Sequence, residues 1–263
     1  MASSLWSSSY ARGISVNFVQ SFLLIVLPLS EKIIGILGGM GPEATADLYL
    51  RIIRATNVKR DQDHPRVIIY SNSKVPDRTT AILEAGPSPL PELIRAGKRL
   101  EEAGADFIII PCNTAHYFID QLQKELRVPI LNMIRLSAGK AEESYPKVRK
   151  AGLLASDGTV KSGLYRSAYG VAGIDIMEPS PERQTEVMKA IYQYIKAGNL
   201  IDGGLLLHGV AKDLVAAGAE MIICGCTEVS LVLKEGDLTV PILDPLQILA
   251  EAAVAEALQK EHR

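Results

Sequence analysis

From Lys32 onward the chain alternates short apolar runs with longer stretches whose apolar positions recur at helical spacing. Residues 32–37, 66–71, 107–110, 129–131, 150–155, 175–177, 221–224 and 241–243 read as strands. Between them, residues 42–55, 90–103, 184–196 and 213–217 are among the stretches that read as helices. The strands are almost continuously apolar, so both faces of each sheet must be covered. That pattern predicts an α/β protein with parallel sheets flanked by helices. The Pro-rich piece at 86–91 reads as a surface loop before a helix.

The pattern also repeats. Leu100-Glu-Glu-Ala-Gly-Ala-Asp-Phe-Ile-Ile-Ile-Pro-Cys112 matches Leu214-Val-Ala-Ala-Gly-Ala-Glu-Met-Ile-Ile-Cys-Gly-Cys226 without a gap. Val128-Pro-Ile-Leu-Asn132 matches Val240-Pro-Ile-Leu-Asp244, and Gly35-Ile-Leu-Gly-Gly-Met-Gly41 matches Gly152-Leu-Leu-Ala-Ser-Asp-Gly158. Three blocks in one order predict two similar α/β halves related by a pseudo-two-fold duplication, facing one another across a cleft. Residues 31–131 plus 241–263 are expected to form the first half, and 132–240 the second.

The first 30 residues stand apart. They open Ser-rich and run apolar over 18–29, interrupted by Gln20 and Ser21. That run is shorter than the roughly 20 apolar residues of a membrane span. Arg12 ahead of it has the look of a signal peptide, but no small-x-small cleavage site follows. The segment is read as a loosely docked extension or a misassigned start, with the folded part beginning near Glu31.

Composition narrows the function. With 28 basic and 30 acidic residues the formal charge is −2, which leaves no basic surplus for nucleic acid. Three cysteines are too few for a disulfide framework and indicate free thiols in a reducing compartment, hence a cytoplasmic protein. Four scattered histidines and no paired C-x2-C offer no zinc site.

Cys112 and Cys226 each follow a strand and precede a helical pattern, where open parallel sheets bind ligands. Backbone N–H groups of Asn113-Thr114 and Thr227-Glu228 can hold a carboxylate or an oxyanion, and the helix dipole favours a thiolate. Cys224, inside its strand, reads as core. A cysteine hydrolase would need one thiol with one orienting base, and Cys226 has no counterpart of His116. Two matched thiols suit a nearly symmetric reaction: a proton leaves one face of a carbon and another arrives on the opposite face. That is racemisation or epimerisation. His116 reads as a capping or packing residue and His208 as an ordinary helix-face residue. Gly39-Met-Gly-Pro-Glu-Ala44 fits a dinucleotide loop formally, but Glu43 would face a pyrophosphate and no acidic residue ends the next strand, so nucleotide binding is rejected.

These residues also carry a resemblance. Gly38-Gly-Met-Gly-Pro-Glu-Ala-Thr45, Ser71-Asn-Ser-Lys-Val-Pro-Asp-Arg78, Pro111-Cys-Asn-Thr-Ala-His116 and Gly225-Cys-Thr-Glu228 resemble the aspartate/glutamate racemase family, in its aspartate racemase type, from Lys32 to the C-terminus. Glutamate racemases share the Pro-Cys-Asn-Thr-Ala run but carry an Asp-Ser-Gly-type first loop and a histidine where this chain has Glu228. Ser73 stands where proline is common, which removes no functional group. The resemblance implies an enzyme that works without pyridoxal phosphate or any other cofactor or metal. It implies that Cys112 and Cys226 are acid/base thiols and that Arg78 and Lys196 meet the distal carboxylate. Met40, Gly41, Asn113, Thr114, Thr159, Thr227 and Glu228 would line the cleft around the α-carboxylate or amine. The expected partner is a small acidic amino acid, with no membrane partner and a homodimer as the expected assembly. Other members of the wider group (glutamate or hydantoin racemase, maleate isomerase, malonate decarboxylase) are the alternatives, and a non-catalytic acidic-ligand binding protein is the alternative of a different class.

Overall fold

The computed structural model describes residues 31–258; the expectations for residues 1–30 lie outside them. Strands β1 (Ile34–Gly38), β2 (Val67–Ser71) and β3 (Phe107–Ile109) form a parallel sheet in the order β2-β1-β3. Strands β4 (Lys150–Leu154), β5 (Asp175–Met177), β6 (Met221–Cys224) and β7 (Ile242–Leu243) form a second, in the order β5-β4-β6-β7. The expected strand at 129–131 contributes one parallel bridge, Ile130 to Ile108, in the place that β7 takes beside β6.

The duplication extends to individual hydrogen bonds. Asp106 N–H donates to the Ile33 carbonyl at 2.9 Å, and Glu220 N–H to that of Lys150 at 2.9 Å. Ile108 N–H reaches Pro129 O at 2.9 Å, and Ile222 N–H reaches Pro241 O at 2.9 Å. Gln123 Oε1 accepts from Ile130 N–H, and Glu235 Oε2 from Ile242 N–H, both at 2.8 Å. Two α/β halves therefore share one topology.

Alternate residues of each strand face opposite layers. On the first sheet Ile34, Ile36, Phe107 and Ile109 pack under helices Pro42–Thr56 and Pro245–Leu258, while Leu37 and Ile108 pack under Leu90–Glu102. On the second, Ala151, Leu153, Met221 and Ile223 meet helices Met133–Ser144 and Leu164–Val171, and Leu154, Ile222 and Cys224 meet Leu200–Ala216. Within residues 241–263, β7 pairs in the second sheet and helix Pro245–Leu258 packs on the first. Ile242 pairs with Ile222, and the chain leaves the second sheet at Asp244.

Two helices differ from their sequence patterns. The stretch at 184–196 becomes an α-helix (Pro181–Lys189), a π turn (Ala190–Tyr194) and a 3-10 turn (Ile195–Ala197). Residues 213–217 are the tail of the longer helix Leu200–Ala216, whose glycines hide it from propensity. Gly203 is there for packing: a Cβ would lie 2.5 Å from Ile195 Cγ1.

Candidate active site

Because β2 and β3 lie on opposite sides of β1, a crevice opens beyond their carboxyl ends, between the turns at 39–41 and 111–114. The second sheet repeats this with turns at 156–158 and 225–228. These turns meet around one narrow cleft, with an open volume of only about 20 Å³. Met40, Arg78, Cys112, Asn113 and Thr114 line it from the first half, and Lys196, Cys226, Thr227 and Glu228 from the second. Gly41 sits beside the wall, where an added Cβ would be 3.8 Å from Glu228 Oε1. The turn before it depends on Gly39, whose φ is +95° and whose Cβ would strike the Asn72 backbone at 2.3 Å. Thr159 is the exception to the expected wall. It lies behind the lining, where its hydroxyl is 2.8 Å from that of Thr114 and 3.3 Å from that of Ser156.

Cys112 is buried beside the Arg78 guanidinium. Arg78 donates through Nη1 to the Pro76 carbonyl at 3.1 Å and through Nη2 to the Met40 carbonyl at 3.3 Å, and its Nε is buried without a partner. Burial works against its charge, but Cys112 and Asp77 outweigh that and hold the guanidinium charged. A buried cation held by carbonyls has capacity left for a carboxylate.

Cys226 has the opposite neighbour. Its thiol donates to Glu228 Oε2 at 2.8 Å, the Thr227 hydroxyl donates to the same oxygen at 3.2 Å, and Lys196 Nζ lies 2.5 Å from Glu228 Oε1. Burial and then the Glu228 charge push the Cys226 thiol well up, so it is protonated. Burial alone would raise Glu228, but Lys196 and the Cys226 thiol hold it below its ordinary value, as a carboxylate. Lys196 therefore stands on the cleft wall paired with Glu228. Both cysteines, and Cys224 in the core, are free thiols.

Five cleft residues were not anticipated: Asp77, Thr79, Ser156, Ile191 and Tyr192. Asp77 caps helix Arg78–Leu83 through Thr80 N–H at 2.8 Å, and the Tyr192 hydroxyl spans the halves, 3.2 Å from both Asp77 Oδ2 and Thr79 Oγ1. The Thr114 and Ser156 hydroxyls, 3.1 Å apart, make a second crossing. Signals existed for some of these. Asp77 and Thr79 flank Arg78, Ser156 stands opposite Gly39 in the repeat, and Tyr192 precedes Lys196 by four residues. His116 and His208 stay off the cleft wall, and Nδ1 of His208 meets the Gly204 carbonyl at 3.0 Å. Among the described residues no His, Cys, Asp and Glu group is arranged to hold a metal, and no helix is long and apolar enough to cross a membrane.

Two α/β halves closing on a pair of buried thiols define a class, and comparison with known proteins gives the same one. Residues 37–253 match the model of the Asp/Glu/Hydantoin racemase family, and the chain belongs to that family. It is similar to the Picrophilus torridus aspartate racemase, at 31% identity and a TM-score of 0.78 over 88% of this chain and 96% of that one. An aspartate racemase homologue from Pyrococcus horikoshii OT3 is 29% identical, with a TM-score of 0.70 over 86% and 99% of the two chains. A broad specificity amino-acid racemase of Bacillus subtilis is 28% identical over 86% of this chain and 98% of its own length.

Proposed function

We propose that the chain interconverts L- and D-aspartate, or a close acidic amino acid, by proton transfer between Cys112 and Cys226 without a cofactor. The observation that carries this reading is the convergence of two buried free thiols, from matched turns, on one cleft with opposite neighbours: a guanidinium at Cys112 and a carboxylate at Cys226.

In one direction the Cys112 thiolate removes the α-proton and the Cys226 thiol delivers its own to the other face. The protonation states are then exchanged, and the reverse reaction starts from the exchanged state. Charge developing on the substrate carboxylate meets the backbone N–H groups of Asn113, Thr114, Thr227 and Glu228. Arg78 takes the distal carboxylate, and Lys196 keeps Glu228 ionised beside Cys226. Unbridged thiols require a reducing compartment, so a cytoplasmic location belongs to this reading, and a homodimer is the assembly expected with it.

A wider substrate range is the second reading. The similarity to the broad specificity racemase favours it, and so does the engagement of Lys196, which leaves Arg78 as the cleft cation without an ion-pair partner. Purified protein incubated in heavy water with each enantiomer of aspartate, glutamate and a neutral amino acid separates the cases. Two-way conversion of aspartate with deuterium at Cα supports the proposal, and equal turnover of the neutral substrate supports the wider range. Ligand binding without exchange would leave the non-catalytic binding protein.

A further inference from the structure

Each cysteine turn is fastened from behind at matched positions, with different chemistry. His116 follows Cys112 by four residues, and Ser230 follows Cys226 by four. His116 is 1% exposed, with Nδ1 2.9 Å from the Cys112 carbonyl oxygen and Nε2 3.1 Å from the Met133 backbone nitrogen. A carbonyl can only accept and an N–H can only donate, so the ring is neutral with its proton on Nδ1. It bridges the cysteine turn to the start of helix Met133–Ser144.

In the second half the Ser230 hydroxyl donates to Asp244 Oδ1 at 2.7 Å, just ahead of helix Pro245–Leu258. That oxygen also accepts from Leu246 N–H at 3.0 Å, as Asn132 Oδ1 accepts from Ile134 N–H at 3.1 Å. Asn132 and Asp244 are thus equivalents, and His116 and Ser230 span the same gap. Asp244 reaches further. Its Oδ2 receives Arg51 Nη1 at 2.6 Å, and Arg51 stands on the helix that begins directly after Met40 and Gly41. The run Ser230–Asp244–Arg51 therefore ties the Cys226 turn to the helix behind the other wall. Ala168 holds the repeat position of Arg51 and lines an open cavity with His116 and Asn132. The first fastening accordingly stops at Met133, without a charge.

We infer that His116 and the Ser230–Asp244 pair are positioning residues, one fastening for each cysteine, and that each sets the placement of its own sulfur against the substrate Cα. This rests on the two-thiol reading above. None of the three lines the cleft, so their effect passes through the cysteine turns.

The test measures exchange of the α-proton of L- and D-aspartate in heavy water, enantiomer by enantiomer, with melting temperature as the check on folding. Cys112→Ala and Cys226→Ala first establish which enantiomer each thiol serves. Misplacement by 1 Å can cost about a hundredfold, so Ser230→Ala added to Cys112→Ala should slow exchange by Cys226 about tenfold, whereas added to Cys226→Ala it should leave exchange by Cys112 within about twofold. His116→Leu should do the reverse, and His116→Gln, which keeps a donor and an acceptor, should recover part of the loss. Should the leucine variant not fold, the glutamine variant carries the same expectation in weaker form. Equal losses on both enantiomers overturn the positioning roles while leaving the racemase reading intact. A wild-type protein that neither interconverts the enantiomers nor labels the product with deuterium overturns both.

Discussion

Arg78 is a cation enclosed by carbonyl groups, with one buried nitrogen unpartnered. Replacing it by Ala should lower turnover of acidic substrates by several orders of magnitude, because a buried charge-assisted pair supplies both energy and orientation. Stability should fall only by about 1–3 kcal/mol, the cost of leaving the Pro76 and Met40 carbonyls without their donor. Near-normal aspartate turnover by Arg78→Ala, measured by chiral separation, would remove the carboxylate role. His116 gives a pH prediction. Burial lowers its pKa from 6.5 to about 4, so between those values the unfolded chain binds more protons than the folded one. Stability is complete above pH 6.5 and declines as pH falls toward 4, by roughly 3 kcal/mol from this residue. Denaturant unfolding across that range should show a shallower acid loss in His116→Gln than in the parent. At this scale the sequence was most readable where the repeat doubled it, which is how Cys112 and Cys226 stood out. Glu228 was placed as a residue around the substrate, but its hold on the Cys226 thiol and on Lys196 depends on side-chain reach, which spacing does not encode.

The β1 turn and the β4 turn differ in what they touch. Gly158, the repeat counterpart of Gly41, lies against the first half: a Cβ there would be 2.8 Å from Thr79 Cα and 3.0 Å from Thr114 Cγ2. Gly158→Ala should therefore wedge the halves apart, costing about 1–3 kcal/mol by overpacking and lowering turnover together with it. A melting temperature and activity equal to the parent's would mean that the interface yields freely. Apart from 129–131, which supplies only a bridge, strand positions were legible to within a residue or two because buried parallel strands are continuous apolar runs. Helices were less so. Gly203, Gly204 and Gly209 lower the propensity of Leu200–Ala216, yet Gly203 is what lets Ile195 approach. The π turn at Ala190–Tyr194 shifts the helical phase just ahead of Lys196. Tyr192 consequently reaches across to Asp77 and Thr79, a placement that a regular 3.6-residue period does not give.

At the scale of the whole molecule, the proposed chemistry rests on duplication. Two copies of one strand order carry two cysteines to one cleft, and divergence between the copies gave them a guanidinium on one side and a carboxylate on the other. The three repeated blocks made this architecture visible in the sequence. The sequence reading also returned residues 241–263 to the first half; in the structure β7 pairs with β6 in the second sheet before helix Pro245–Leu258 covers the first. If the two thiols act on opposite faces of the substrate, the proton taken from it is not the proton returned. The direct measurement is the first few per cent of conversion of unlabelled L-aspartate in heavy water by the wild-type protein, read by mass after chiral separation. Two-base transfer requires that the new D-aspartate carry deuterium at Cα while the remaining L-aspartate still carries protium. D-aspartate that retains the original proton, or deuterium appearing equally in both enantiomers from the outset, would contradict it.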